Sequence, residues 1–134
     1  MTDRELMEMA VQARKASYSP YSKFKVGAAL LTKSGKTYLG CNIENAAYTP
    51  TNCAERTAVF KAVSEGELEF AAIAIVGGSG EEPAEFCAPC GVCRQVLAEF
   101  CEKDFKILLG TPDDFKAYTL AELLPFSFGK SDLA

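Results

Sequence analysis

Six cysteines dominate the chemistry open to this sequence, because the chain contains no histidine. Three of them lie in two short segments, Asn52-Cys53-Ala54-Glu55-Arg56 and Pro89-Cys90-Gly91-Val92-Cys93-Arg94, each where a loop is predicted to enter a helix. The positive end of a helix dipole favours the thiolate, which is the form of cysteine that binds metals. The sequence therefore predicts that Cys53, Cys90 and Cys93 are metal ligands.

The spacing of these cysteines fits a zinc ion with an open coordination position. Cys90 and Cys93 are three residues apart and project from one side of a helical turn, whereas Cys53 comes from a separate helix. Three sulfur ligands leave the fourth tetrahedral position of zinc to water, which is typical of a catalytic site. We therefore expect one zinc ion per chain.

Charged residues beside the cysteines complete a candidate catalytic group. Three thiolates outweigh the charge of Zn²⁺, so a nearby cation is needed to preserve its Lewis acidity. Arg56 follows Cys53 by three residues and can lie on the sulfur-bearing side of its helix. Arg94 follows Cys90 by four residues and can do the same. Glu55 lies about 200 degrees around the helix from Cys53, so we expect it to border the open position as a proton acceptor and not as a ligand.

Three other interpretations of these cysteines stay open. Cys87 precedes Cys90 by three residues, so a four-sulfur structural zinc site that also uses Cys53 and Cys93 is one alternative. A redox pair in the Cys90-Gly91-Val92-Cys93 segment is another. Three disulfides would suit a small secreted protein, but the polar N-terminal segment does not resemble a secretory signal.

The elements that position these residues follow from apolar spacing and turn residues. Helices are predicted over residues 3–17, 52–64, 90–102 and from 119 to 125, and strands over 25–33, 37–43, 70–76, 106–110 and 116–118. Asn52 is expected to cap the second helix, and 77–80 to form the loop after the third strand. Cys41 and Cys101 are expected to be buried. This order predicts a hairpin continued by βαβ crossovers, with helices against one mixed sheet.

Length and composition exclude several classes of protein. The 134 residues suit a single domain spanning 1–134. A net charge of −4 makes nucleic acid polymers poor partners. The longest apolar runs, 26–31 and 70–76, are far shorter than the roughly 18 residues that span a bilayer, so no membrane association is expected. Without a secretory signal, the expected location is cytoplasmic.

Two further segments, together with the cysteine motifs, resemble a known family. Residues 20–30 (PYSKFKVGAAL) and 40–48 (GCNIENAAY), with Cys53-Ala54-Glu55 and Pro89-Cys90-Gly91-Val92-Cys93, are similar to the small homotetrameric zinc-dependent cytidine deaminases in their all-cysteine form. The resemblance covers nearly the whole chain. It implies a three-layer α/β/α fold with a mixed five-stranded sheet. It also implies hydrolytic deamination of cytidine and 2′-deoxycytidine, with Glu55 as the proton shuttle.

The resemblance further implies roles for residues outside the cysteine motifs. Asn42 and Glu44 would hold the ribose hydroxyls, and Phe24 would pack on the pyrimidine. Phe128 resembles an aromatic residue that reaches a neighbouring subunit's site, which implies a homotetramer. Arg56 would donate a hydrogen bond to a ligating thiolate. The residues expected at the substrate are Phe24, Asn42, Glu44, Ala54 and Phe128.

Each of these assignments has an ordinary alternative. Phe24 could be a core residue, and Asn42 and Glu44 could be solvated residues at a strand end. Cys87 and the 49–51 segment depart from the family pattern. A structural zinc interaction module and a thiol redox protein are the rival functions. A free pyrimidine nucleoside is the expected substrate, because the net charge of −4 and the Glu44 carboxylate would repel a phosphate.

Overall fold

The helices and strands of the protein follow the predicted order. The computed structural model describes residues 1–133, and their elements are α1 (Asp3–Arg14), β1 (Lys25–Thr32), β2 (Thr37–Cys41), α2 (Ala54–Ser64), β3 (Phe70–Gly78), α3 (Gly91–Phe100), β4 (Lys106–Thr111), β5 (Asp114–Thr119), α4 (Leu120–Leu123) and a 3₁₀ helix (Lys130–Asp132). Thr2 and Glu5 form the predicted capping box of α1. No helix within residues 1–133 is long and apolar enough to cross a membrane.

The five strands form one mixed sheet, as predicted. Their order is β2-β1-β3-β4-β5. The β3 and β4 strands run parallel, and the other neighbouring pairs are antiparallel. The parallel pair requires a crossover, which α3 provides. In the centre of the sheet, Leu30 of β1 lies opposite Tyr38 of β2 and Ile73 of β3.

Helices cover both faces of the sheet, so the three-layer α/β/α fold is confirmed. Successive side chains of a strand point to opposite faces. In β1, Ala28 and Leu30 belong to the core beneath α2 and α3, whereas Ala29 belongs to the core beneath α1. The same alternation places Ile107 of β4 on the first face and Leu108 on the second. The cysteine motifs begin the two helices of the first face.

Two strand glycines allow the helices to approach the sheet closely. A Cβ atom on Gly27 would lie 2.2 Å from the carbonyl oxygen of Ala10 in α1. A Cβ atom on Gly40 would lie 2.3 Å from the carbonyl oxygen of Ala54, the first residue of α2. Because backbone atoms cannot move aside cheaply, Gly40 fixes how deeply the start of α2 sits against β2.

Several element ends differ from the prediction. The α1 helix ends at Arg14, three residues early, because the N–H groups of residues 15–17 donate to carbonyls three residues back and tighten the last turn. The β3 strand extends through Gly77 and Gly78, which pair with β1 and are therefore not loop residues. Cys41 and Cys101 are half-buried and not fully buried.

Candidate functional site: three thiols at two helix starts

Three thiol groups meet where α2 and α3 begin. Cys53 and Cys90 are the N-cap residues of these helices, and neither side chain makes a capping hydrogen bond. Together with Cys93, their sulfurs all lie within 4.8 Å of one another. The Sγ–Sγ distances are 3.7 Å for Cys53 and Cys90 and 3.5 Å for Cys90 and Cys93. Tetrahedral zinc with Zn–S bonds of about 2.3 Å separates its sulfurs by about 3.8 Å, so the cluster fits a zinc ion.

The cap of α2 differs from the prediction. Asn52 does not cap the helix, because its backbone pairs with Ile43 and its side-chain amide donates to Thr57 Oγ1 at 3.1 Å. Cys53 takes the N-cap position instead, in an extended conformation. The pairing of residue 52 with residue 43 thus delivers the Cys53 thiol at the helix terminus.

Arg56 contacts the cluster as predicted. Its Nη2 donates to Cys53 Sγ at 3.3 Å. The pKa of Cys53 is lowered to about 5, first by hydrogen bonding with Cys93 and then by Arg56, and burial opposes both. The Arg56 Nε is buried without a hydrogen-bond partner among the described residues. Arg56 therefore places a positive charge beside the Cys53 sulfur, where it stabilises the thiolate.

Arg94 does not take the role that its spacing allows. Its Nε donates to the Pro89 carbonyl at 2.7 Å and its Nη1 to the Leu123 carbonyl at 2.5 Å. Among residues 1–133, the arginine that donates to a sulfur of the cluster is Arg56 and not Arg94. Arg94 instead joins the peptide before Cys90 to the end of α4, because the carbonyls of Pro89 and Leu123 both accept from its guanidinium.

Glu55 is buried beside the thiols. It is the second residue of α2, and 4% of its surface is exposed. Burial, helped by the negative charge of Cys53, raises its pKa to about 7 against the opposing effects of backbone hydrogen bonding, Cys93 and Arg56. Within residues 1–133, the group of side chains arranged to hold a metal contains the three cysteines and not Glu55. This placement suits a proton carrier and not a ligand.

Cys87 lies outside the thiol cluster. Its Sγ packs against Gly77, since a Cβ atom built on that glycine would approach Cys87 Sγ to 2.8 Å. Burial raises the pKa of Cys87 to about 12, so this thiol stays protonated at neutral pH. The arrangement does not support the four-sulfur alternative.

Phe24 and Asn42 are joined through the Asn42 side chain. Asn42 Nδ2 donates to the Phe24 carbonyl at 2.8 Å. Asn42 Oδ1 accepts from Ser17 Oγ at 2.5 Å and from Val26 N at 2.9 Å. One amide N–H of Asn42 is therefore left for a ligand. Sequence reasoning missed the anchoring role, because residues 17, 24 and 42 meet only in the folded chain.

Glu44 is fixed by the loop that precedes Phe24. Its Oε1 accepts from Tyr21 N at 2.9 Å and from Ser22 N at 3.1 Å, and its Oε2 accepts from Ser22 Oγ. The Ser22 hydroxyl is the main cause that lowers the pKa of Glu44. Lys23 in the same loop has a positive φ of 61°. The carboxylate is thus held ionised, and three of its about four acceptor sites are used, which leaves one on Oε2 for a hydroxyl group.

Hydrogen bonds between its own residues hold together the loop of residues 45–51, which includes the 49–51 segment that departs from the family pattern. Thr51 Oγ1 accepts from Asn45 N at 3.1 Å, and Asn45 Oδ1 accepts from Ala47 N at 2.9 Å. Tyr48 at its tip is 88% exposed. The loop therefore presents an aromatic side chain at the surface.

The remaining expected substrate residues lie in contrasting environments. Ala54 is completely buried at the start of α2. Phe128 is 59% exposed on the C-terminal segment, where its carbonyl accepts from Gln95 Nε2 of α3 at 2.8 Å. The backbone of Phe128 is therefore tied to the helix that carries Cys93, while its ring remains accessible.

Comparison with known proteins links this site to a family. Residues 1–109 match the family model for the cytidine and deoxycytidylate deaminase zinc-binding region. A cytidine deaminase of Sporosarcina psychrophila is 50% identical over 135 aligned residues, covering 100% of this chain and 96% of that protein. A cytidine deaminase of Halalkalibacterium halodurans is 51% identical, covering 98% of each.

Comparison with solved structures supports the same family. The crystal structure of cytidine deaminase from Burkholderia pseudomallei superimposes with a TM-score of 0.87 at 47% identity, covering 96% of this chain and 100% of that chain. The matched region of the family model includes all three clustered cysteines and Glu55. The chain therefore belongs to the cytidine deaminase family.

Proposed function

We propose that this protein hydrolyses cytidine and 2′-deoxycytidine to uridine and 2′-deoxyuridine with release of ammonia. The observation that carries the proposal is the meeting of three thiols at zinc-ligand spacing with one buried carboxylate, Glu55. Membership of the cytidine deaminase family supports the same reaction. A structural zinc module or a thiol redox protein would have no use for that carboxylate.

Cys53, Cys90 and Cys93 would hold one zinc ion. A zinc ion bound there supplies Lewis acidity that lowers the pKa of a water at its fourth position. Arg56, 3.3 Å from Cys53 Sγ, offsets part of the negative charge of three thiolates. Glu55, buried beside the thiols, would border the fourth position of that ion.

Glu55 would move the protons of the reaction. It accepts a proton from the attacking water as oxygen bonds to C4 of the base, and it delivers a proton to N3. A second transfer from the nucleophile to the amino group allows the C4–N4 bond to break, and ammonia leaves as the C4 carbonyl forms. A pKa raised to about 7 by burial suits a group that must both accept and donate protons near neutral pH.

The nucleoside would be held by the loop and strand residues around Phe24. The Phe24 ring packs on the pyrimidine, beside the buried Ala54. Asn42 offers one N–H to a ribose hydroxyl, and Glu44 Oε2 accepts a hydrogen bond from a hydroxyl group. The ionised Glu44 repels a phosphate in that position, so a free nucleoside is favoured over a nucleotide.

Assembly, location and domain organisation complete the proposal. We infer a homotetramer, supported by exposed aromatic side chains at Tyr48, Phe126 and Phe128. Phe128 would then contribute to a neighbouring subunit's substrate site.

All six cysteines are unpaired, which suits a reducing compartment such as the cytoplasm. The whole chain, 1–134, would act as one domain.

A substrate comparison tests the proposed specificity. Deamination is measured for cytidine, cytidine 5′-monophosphate and a cytosine-containing single strand under one condition, with the wild type and Glu44→Ala. We expect activity on cytidine alone, and a raised KM in Glu44→Ala. Glu8→Ala, an exposed carboxylate change on α1, is the matched control and leaves KM unchanged. Equal activity on the monophosphate, or an unaltered KM in Glu44→Ala, contradicts the assignment.

A further inference from the structure

Arg14 is a buried cation without an acidic partner. It ends α1, and only 4% of its surface is exposed. Among residues 1–133, no carboxylate lies within ion-pair distance of its guanidinium. A buried charge is costly unless hydrogen bonds replace its hydration. The groups that hold Arg14 therefore define its role.

Four backbone carbonyls from two segments surround the guanidinium. Arg14 Nε donates to the Lys25 carbonyl at 3.1 Å, at the start of β1. Arg14 Nη1 donates to the Glu81 carbonyl at 2.8 Å. Arg14 Nη2 donates to the Gly78 carbonyl at 2.6 Å and also to the Gly80 carbonyl. Lys25 and Gly78 are already partners in the β1–β3 pairing, so Arg14 reinforces this end of the pairing and adds residues 80 and 81 to it.

Each segment adjoins a residue at the proposed site for the base: Phe24, which is proposed to pack on the pyrimidine, or Gly77, against which the Phe24 ring lies. Lys25 directly follows Phe24, and Gly78 directly follows Gly77. A Cβ atom on Gly77 would lie 3.2 Å from Phe24 Cε1 and 2.8 Å from Cys87 Sγ. The Phe24 ring and the Cys87 side chain therefore converge on the bare backbone of Gly77. The relative position of the two segments sets where the Phe24 ring lies.

We propose that Arg14 is a positioning residue for nucleoside binding, acting as a clamp that holds Phe24 against the Gly77 backbone. Arg14 acts only through these segments. This inference rests on the proposed packing of Phe24 on the pyrimidine. A lysine at position 14 keeps the charge but replaces a planar fork of five donors by one compact ammonium with three, so it cannot keep all four carbonyl hydrogen bonds in their present geometry.

Arg14→Lys and Arg14→Ala test the clamp. We measure KM and kcat for cytidine, bound zinc and thermal stability, with Arg4→Lys on the exposed face of the same helix as the control. Because a small displacement of a binding group weakens substrate binding, KM is expected to rise about 10-fold in Arg14→Lys while kcat changes less than about 3-fold. Zinc content stays at the wild-type level.

Added guanidinium ion separates positioning from a general loss of stability. In Arg14→Ala, millimolar guanidinium chloride is expected to lower KM towards the wild-type value, and the same concentration of potassium chloride is not. If Arg14→Ala does not fold, Arg14→Lys alone decides. An unchanged KM in zinc-loaded Arg14→Lys, or loss of zinc in place of the KM change, overturns the clamp.

The failure of the clamp is distinguishable from failure of the proposed function. If wild-type protein does not deaminate cytidine, the proposed function fails whatever the variants do. If Phe24→Ala leaves KM unchanged, the proposed role of Phe24 in packing on the base fails, and the clamp fails with it. If Phe24→Ala raises KM and Arg14→Lys does not, only the inference about Arg14 is wrong.

Discussion

At the scale of single residues, the start of α2 places Cys53 and Glu55 in different environments although they are close in sequence. Cys53 precedes α2 and points its thiol towards Cys90, whereas Glu55 lies inside the first turn and is buried. The negative charge of Cys53 acts on Glu55 and helps to raise its pKa. A ligand and a proton carrier can therefore be only two residues apart.

Glu55→Gln isolates the proton-transfer role. The change keeps the side-chain size and removes the base, so turnover is expected to fall by about 100-fold to 10,000-fold. Bound zinc, measured by metal analysis, is expected to stay at the wild-type level because Glu55 is outside the thiol group. Glu8→Gln on the exposed face of α1 is the control. Near-normal turnover of Glu55→Gln, or loss of its zinc, would disprove the role.

Glu44 leads to a prediction about pH. Hydrogen bonding from Ser22 lowers the pKa of Glu44 below its ordinary value of 4.5, so the carboxylate stays ionised as the pH falls towards 5. Titration of Glu44 is therefore expected to contribute no change in the KM for cytidine from about pH 8 to about pH 5.5. Ser22→Ala removes the largest cause of the shift, so its KM is expected to rise at a higher pH than in the wild type. Because Glu55, with its pKa of about 7, titrates in both proteins, the test is the difference between them, and identical pH profiles of KM in Ser22→Ala and the wild type would refute this.

At the scale of elements, the sequence was informative where the signal is local. The 70–76 apolar run and the Thr2–Glu5 capping box predicted β3 and α1, because periodicity and capping involve neighbouring residues. The thiol cluster was predictable for the same reason, since each motif marks a helix start. The contacts of Arg14 with Gly78 and of Phe24 with Gly77 were not, because they join residues more than 50 positions apart.

Gly40→Ala tests how β2 positions the start of α2. The new methyl group would lie 2.3 Å from the Ala54 carbonyl oxygen, so α2 must shift outward. Overpacking of this kind costs about 1 to 3 kcal/mol of stability. We expect a lower denaturation midpoint and reduced zinc binding, because Cys53 moves with the helix. Gly129→Ala, whose methyl group would meet no atom within 4 Å, is the control. Equal stability of the two variants would contradict the prediction.

At the scale of the whole molecule, the exposed aromatic residues bear on the proposed homotetramer. Phe128 is 59% exposed and Tyr48 is 88% exposed. Isolated exposed apolar residues are ordinary, but aromatic groups on a loop and on the C-terminal segment suit contacts between subunits. The proposed homotetramer would cover them.

Sedimentation combined with a Phe128 variant tests the assembly. The wild type is expected to sediment as a tetramer at assay concentrations. If Phe128 packs on the base in a neighbouring site, Phe128→Ala costs about 1 kcal/mol of binding, the scale of an aromatic pair, which raises KM about 5-fold. Phe60→Ala, an exposed aromatic change on α2, compares the effect of losing a ring elsewhere. A fully active monomer, or an unchanged KM in Phe128→Ala, would contradict the shared site.

One measurement addresses the central claim that a three-thiol zinc site with Glu55 deaminates cytidine. Purified protein is analysed for bound zinc, and the loss of cytidine absorbance is followed with the formation of uridine and ammonia. Single alanine variants of all four cysteines in the region, Cys53, Cys87, Cys90 and Cys93, are measured in parallel. We expect one zinc per chain and equal amounts of uridine and ammonia, and among the variants we expect both zinc and activity to be retained only in Cys87→Ala. Zinc without deamination, or loss of the metal in Cys87→Ala but not in Cys53→Ala, would contradict it.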